Sequence, residues 1–494
     1  MLSTKLKQKL YYFGIFLSIT LPFILFVNNL FAKWWLIDDH DLFSYLIKID
    51  KESGILDYIS ILIEKTEVGN FARTSRFRPS YFILRVTELY LFGLNPTYFY
   101  IVRLLIAMFF SVVLFLFLIK FINEFVSLTF VATIWTFPFW SDVFSRIGPA
   151  EIYGCLGLGL LILSYLLPQS KLFSTFLRVF GLVVLIGAKE NFLIYTIVSF
   201  VELWKLFRRK NNKVYLYFFE ILPILYSIYI FLSLVGFYTH ISEDIYGNST
   251  NLKDRLNLFI ILFEDRDFWF FITILVILSA FSFFDRGFLR RYLHVISLII
   301  FAFVIYIFNF AFYHAKWPTG MRYDFPGVLL LPMTIILFLK IIQGRFRINN
   351  KKYNFILIFI CIFNLNLYGL GFNLKSSIEN RNRTNQFSSF LNETIGDLKL
   401  NPNRDIVIRI ISAWDYEPYF SILDFFNYYS LTNRVLLRVD SIPNATEFEN
   451  QLLASLKNIE NLNVQPTSNC LVLTFGEVKD KNFCDDQINR RVPW

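Results

Sequence analysis

Residues 11–31 read YYFGIFLSITLPFILFVNNLF. They follow a basic start (Lys5, Lys7, Lys9), and bulky Phe31, Trp34 and Trp35 close the run. A secretory signal has an apolar region of roughly 7–15 residues and a small-residue cleavage site, and this run is longer. It reads as a first transmembrane helix with its amino end inside.

The composition agrees. Of 494 residues, 55% are hydrophobic and 17% charged, with 60 Phe and 27 Tyr. Soluble domains carry roughly 45–50% apolar and about 25% charged residues. Mean hydropathy is +0.50. These values exclude a soluble enzyme, a disordered chain and a collagen-like fibre. They predict an α-helical polytopic membrane protein. The net charge of +10 reads as Lys and Arg retained on the cytoplasmic face, with no nucleic-acid partner.

Further spans are expected near 96–119, 125–142, 151–168, 173–188, 190–206, 214–236, 268–284, 291–313, 324–342 and 353–371, about eleven in all. With the amino end inside, Lys120, Lys171/Arg178, Lys205–Lys213, Arg286–Arg291 and Lys340–Lys352 fall in the cytoplasm, as the positive-inside rule requires. The protein is then a multi-pass component of the inner (plasma) membrane in contact with membrane lipids. Residues 1–371 form the transmembrane part. Residues 372–494 form a small extracytoplasmic α/β domain, with DIVIRII, NRVLLRV and CLVLTF as strands and EPYFSILDFFNYYS and TEFENQLLASLK as helices. Pro79–Gly93 contains Arg85 and Glu88 and is read as an amphipathic helix in the outer interface. Cys470 and Cys484 are candidates for a disulfide.

Five constellations on the outer side carry candidate chemistry. Asp38, Asp39, His40 and Asp41 follow the first span; they could deprotonate an acceptor hydroxyl or hold a divalent metal, or form a solvated acidic turn. Arg73, Arg76 and Arg78 suit a lipid phosphate or ordinary headgroup anchoring. Asp142, Arg146, Gly148, Pro149 and Glu151 make a helix break with an acid at the start of a span, which is costly unless it faces a polar cavity. Lys189–Glu190 either marks a tight turn or turns Lys189 toward a phosphate. His314–Tyr323, with Lys316, Arg322 and Tyr323, is basic and aromatic, as interfacial anchors also are.

The order of these motifs resembles the polytopic glycosyltransferases of the GT-C superfamily, which use polyprenyl- or dolichyl-phosphate sugars and include protein O-mannosyltransferases and lipid A aminoarabinose transferases. The resemblance lies in Asp38–Asp39, in Arg78–Pro79 with Gly93, Asn95 and Pro96, in Gly148–Pro149–Glu151 and in Lys189–Glu190, over roughly residues 10–340. It implies that Asp38 or Asp39 is the first-loop acid and that Glu151 or Asp142 is the second. Lys189, Arg322 and Arg78 would contact donor phosphate, with His40, Asp142, Arg146, Glu190 and Tyr323 in support. The implied reaction transfers one sugar, with inversion, from a polyprenyl-phosphate donor to a hydroxyl of a glycan, lipid or protein. No cofactor carries over from the resemblance, and a divalent metal stays open. The Phe-rich, Ala- and Gly-poor composition suggests bacteria and an undecaprenyl carrier. An O-antigen polymerase or ligase would keep its catalytic loop late in the chain. A lipid-linked sugar flippase would spread polar residues through the midplane.

Overall fold

Long apolar stretches build this chain, and within a bilayer a helix satisfies every backbone polar group internally. The computed structural model describes residues 4–37, 39–47, 54–64, 71–73, 76–168, 172–208, 214–240, 260–313, 321–327, 329–440, 449–450, 453, 456, 464–476 and 482–493. The helices that matter below are α1 (Thr4–Phe26), α2 (His40–Ile47), α3 (Ile55–Glu64), α4 (Pro79–Phe92), α5 (Pro96–Leu118), α6 (Glu124–Trp135), α7 (Phe139–Phe144), α8 (Glu151–Leu166) and α9 (Leu172–Ile186). They continue with α10 (Thr196–Arg208), α11 (Val214–His240), α12 (Arg266–Phe284), α13 (Phe288–Tyr313), α14 (Leu330–Arg345), α15 (Asn350–Asn364), α16 (Leu367–Leu400) and α17 (Tyr416–Tyr428).

Among the described residues, five helical segments are long and apolar enough to cross a membrane: Gln8–Phe31, Pro96–Leu118, Val214–Phe237, Arg266–Phe284 and Phe288–Phe310. Asn350–Ile362 with Leu367–Leu400, bent by 50°, would add a sixth. Large apolar side chains such as Phe16, Phe231, Phe283 and Phe359 stand exposed along these segments, as a lipid-facing surface requires. The other five expected spans fall on shorter helices, the apolar α6, α8 and α9 and, at 190–206 and 324–342, α10 and α14. The stretch 125–142, expected as one span, divides into α6 and α7 around Pro138, which cannot continue the helix. The stretch 190–206 begins as a 3-10 turn, Glu190–Tyr195, before α10.

Two close approaches fix the bundle. A Cβ on Gly157 would lie 2.7 Å from the Gly181 carbonyl oxygen, and one on Gly181 2.9 Å from that of Gly157, so α8 and α9 cross backbone to backbone. A Cβ on Gly369 would sit 1.8 Å from the Thr136 carbonyl oxygen. Asn373 donates to the carbonyls of Trp135 (3.0 Å) and Phe137 (3.1 Å), pinning α16 to the α6–α7 break.

α4 forms where expected, but its charges point inward. Arg85 is 0% and Glu88 7% exposed. Arg103 of α5 donates to Glu88 at 2.5 Å and to the Ile147 carbonyl at 3.1 Å. A charged pair at membrane depth is cheaper facing a partner than facing lipid, so protein and not headgroups receives this helix's polar face.

Among the described residues the tail carries a four-stranded, all-parallel sheet of order β2-β1-β3-β4: β1 (Asp405–Ile410), β2 (Val435–Val439), β3 (Asn469–Thr474) and β4 (Asp486–Arg491). The three strands and the first helix read from the sequence appear, while β4 (DQINRR) is too polar to have been read as a strand. TEFENQLLASLK lies largely outside the described residues. Cys470 and Cys484 are joined. α16 runs unbroken through residue 372, so the composition change falls inside a helix. The tail core of Ile406, Ile408, Phe425 and Leu473 also takes in Leu36 and Phe43 from the segment after α1. The Phe43 ring lies 4.4 Å from that of Phe425.

Candidate active site

The sequence-predicted residues that the structure describes gather where turns join the helices at their sheet-side end. Lys189 follows the end of α9 and Glu151 is the first residue of α8; both are buried, at 2% and 1% exposure. The Lys189 ammonium donates to a Glu151 carboxylate oxygen. One residue on, Glu190 receives Arg78 from the start of α4 through two bonds, Nε to Oε1 at 2.9 Å and a terminal nitrogen to Oε2 at 3.1 Å. This fork is the strong bidentate form of a guanidinium–carboxylate pair.

Arg322 and Tyr323 come from the loop between α13 and α14. Lys189 Nζ lies 4.2 Å and the Arg322 guanidinium carbon 5.2 Å from the centroid of the Tyr323 ring. The negative face of an aromatic ring favours both cations. Arg322 Nε is 3.8 Å from Asp142 Oδ2, and Arg146 donates to Asp142 Oδ1 at 3.2 Å. Two buried amides hold this loop. Asn191 donates to Asn309 Oδ1 and to the Phe325 carbonyl, and Asn309 donates to the Tyr323 carbonyl at 3.1 Å.

Asp39 is 3% exposed and accepts the Trp35 backbone N–H at 2.8 Å. Arg383 of α16 interacts electrostatically with both Asp39 and Asp142. Its guanidinium lies over the Trp35 ring at 5.0 Å and donates to Asn380 at 3.2 Å. The cluster thus holds five cations (Arg78, Arg146, Lys189, Arg322, Arg383) and four carboxylates (Asp39, Asp142, Glu151, Glu190). Among the described residues the balance is five cations to four carboxylates.

Asp38 lies outside the described residues, as does the stretch from His314 to Gly320. His40 and Asp41 begin α2, but their side chains also lie outside them. Among the described residues, no three His, Cys, Asp or Glu side chains group as a metal site. Arg73 is exposed and Arg76 half-buried. Sequence reasoning missed Arg383 and Asn309. Asn309 had a signal, a lone amide within the apolar run FNFAF. Arg383 had none, because it sits in a polar helix among other charges. An apolar cavity of about 310 Å³ between α6, α12, α14 and α15, lined by Phe130, Phe137, Phe270 and Leu357, contains none of the charged residues above.

No protein-family model matches the chain, and no curated protein sequence does. Solved structures similar to the chain include two of one protein. One is ArnT from Cupriavidus metallidurans bound to undecaprenyl phosphate, 11% identical, with a TM-score of 0.42 over 91% of this chain and 89% of that one. The other is the apo state of the same protein, 12% identical, with a TM-score of 0.39 over 88% and 85%.

Proposed function

We propose that the protein is a membrane glycosyltransferase. It moves a sugar from a polyprenyl-phosphate donor of the undecaprenyl class to a hydroxyl of a cell-surface glycan, lipid or protein on the extracytoplasmic side. One observation carries this reading: Lys189, Arg78 and Arg322 converge from separate turns with Asp142, Glu151 and Glu190 at one end of a bundle of apolar helices. Buried charge at that depth is expensive, and a phosphate-bearing lipid is a ligand that warrants it. The motif order read from the sequence supports the same chemistry.

In this reading the donor phosphate meets Lys189 and Arg322, which share the Tyr323 ring. Glu151 and Glu190 keep Lys189 and Arg78 in place. Asp39 takes the acceptor proton as the acceptor oxygen bonds to the anomeric carbon. The bond from that carbon to the phosphate oxygen breaks on the opposite face, which inverts the centre. The electron pair leaves on the lipid phosphate, whose growing charge the fixed cations stabilise.

The amino end lies in the cytoplasm and the tail outside, on the evidence of the Lys/Arg asymmetry. Reporter fusions at Asn211 and Asn444 should report opposite sides, with Asn211 inside; the same side for both would remove the orientation. For the chemistry, transfer is measured from a panel of polyprenyl-phosphate sugars. Asp39→Asn should fold, insert and lose roughly 10²–10⁴ of the rate, the usual contribution of a positioned general base. A variant as fast as the wild type takes Asp39 out of the mechanism.

A further inference from the structure

The segment that carries Asp39 is held by the tail, contact after contact. Asn380 of α16 donates to Asn29 at 2.9 Å and to the Tyr100 hydroxyl at 3.1 Å. The Lys33 backbone N–H donates to Thr384 at 2.9 Å. Arg383 and Phe387 both lie against the Trp35 ring, at 5.0 and 5.6 Å. From α17, Ser421 Oγ accepts the Ile37 N–H at 2.7 Å.

Ile37 has φ of +71°. A β-branched residue in that region is an outlier that costs of order 1–3 kcal/mol and persists only when its surroundings over-determine it. Here Ser421 holds the Ile37 N–H, and the Ile37 side chain packs against the tail core. The strained residue stands two positions before Asp39.

We propose that the C-terminal region serves as a clamp on the first loop, with Arg383 and Ser421 as positioning residues that hold the Asp39 carboxylate in place for the acceptor. This rests on the reading of Asp39 as the base. Arg383 from α16 and Tyr100 from α5 act on Asp39 electrostatically, and Asp142 and Arg146 act on the same guanidinium. Arg383, a cation, favours the ionised form.

The test combines kinetics with a melting-temperature cycle on the full-length protein. Arg383→Met should lower kcat roughly 10–100-fold, the cost of a small misplacement, and leave KM for the donor in place. Loss of the cation should also move the acid limb of the pH profile of kcat/KM to higher pH, and Arg383→Lys should restore it. The melting-temperature shifts of Arg383→Met and Asp39→Asn should be non-additive. Additive shifts, or non-additive shifts with an unmoved acid limb, overturn the proposal, because Arg383 is then only a packing residue. If the wild type transfers no sugar, the glycosyltransferase reading fails and the melting-temperature cycle alone decides whether Arg383 acts on Asp39. If Arg383→Met does not insert, Ser421→Ala reads the same clamp. A kcat that falls without a matching fall in melting temperature supports it, and an unchanged kcat sinks it.

Discussion

α8 and α9 carry buried charge at both ends, and the two ends are built differently. At one end Arg178 of α9 donates to Glu220 of α11 at 2.9 Å, and the side chains are 5% and 0% exposed. Tyr165 of α8 donates to Glu202 of α10 at 3.0 Å, and Lys205 meets the same oxygen at 2.7 Å. Every one of these groups stands on the flank of a regular helix. At the other end Arg78, Lys189, Glu190, Arg322 and Tyr323 sit in turns or at helix starts. The first arrangement locks helices side by side. The second gathers cations from segments far apart in sequence, with a net positive balance. Ion pairing alone therefore does not separate the two ends; the irregular backbone and, among the described residues, the excess of one sign do.

The comparison predicts opposite outcomes for like changes. Arg178→Ala strands the Glu220 carboxylate, a change that costs roughly 3–5 kcal/mol for a buried pair. It should show as a fall in melting temperature and in folded yield, with transfer per folded molecule unchanged. Arg178→Met together with Glu220→Met should recover most of the stability, because apolar replacement of both partners is often neutral. A double variant that folds but transfers slowly would break the distinction between the two ends.

Asn309→Ala sharpens it. The change leaves Asn191 and the Tyr323 carbonyl short of a partner, at roughly 1–3 kcal/mol. Since Asn309 steers the loop of Arg322, the account expects a higher KM for the donor at nearly normal kcat. A pure loss of stability with unchanged KM would make the amide pair part of the packing only.

The smallest expected effect on transfer comes from the tail's covalent link. Changing Cys470 and Cys484 to Ser removes a bridge across 14 residues, worth roughly 3 kcal/mol by loop-closure arguments. The link joins β3 to the segment before β4, while the clamp residues stand on α16 and α17. The tail should melt earlier, and transfer below that transition should stay as in the wild type.

Much of this was legible in the residues. Apolar run length gave the helical membrane class, and β-branched runs gave β1, β2 and β3. Glu151, Lys189 and Arg322 stood out because each breaks an apolar or charge pattern. Spans near Pro138 and Lys189 were drawn too long, since hydropathy does not register where a helix changes direction or becomes a 3-10 turn. An amphipathic helix read alone shows its charged face and not what covers it, so Arg103 over Glu88 and Tyr81 beside Arg85 are not legible in 79–93. Arg383 stayed hidden because its part depends on α16 reaching back 351 residues, as the Asn380–Asn29 contact does. No local signal encodes such a contact.

The central claim is that the sheet-side cluster receives the donor phosphate. Equilibrium binding of undecaprenyl phosphate to the purified protein tests it most directly. Lys189→Met with Glu151→Met should keep the melting temperature near that of the wild type and weaken binding roughly tenfold or more, which corresponds to about 1.4 kcal/mol. Arg178→Met with Glu220→Met should bind as the wild type does. Equal Kd values in the wild type and both double variants would contradict the account and leave the cluster at Lys189 as one more way of holding helices together.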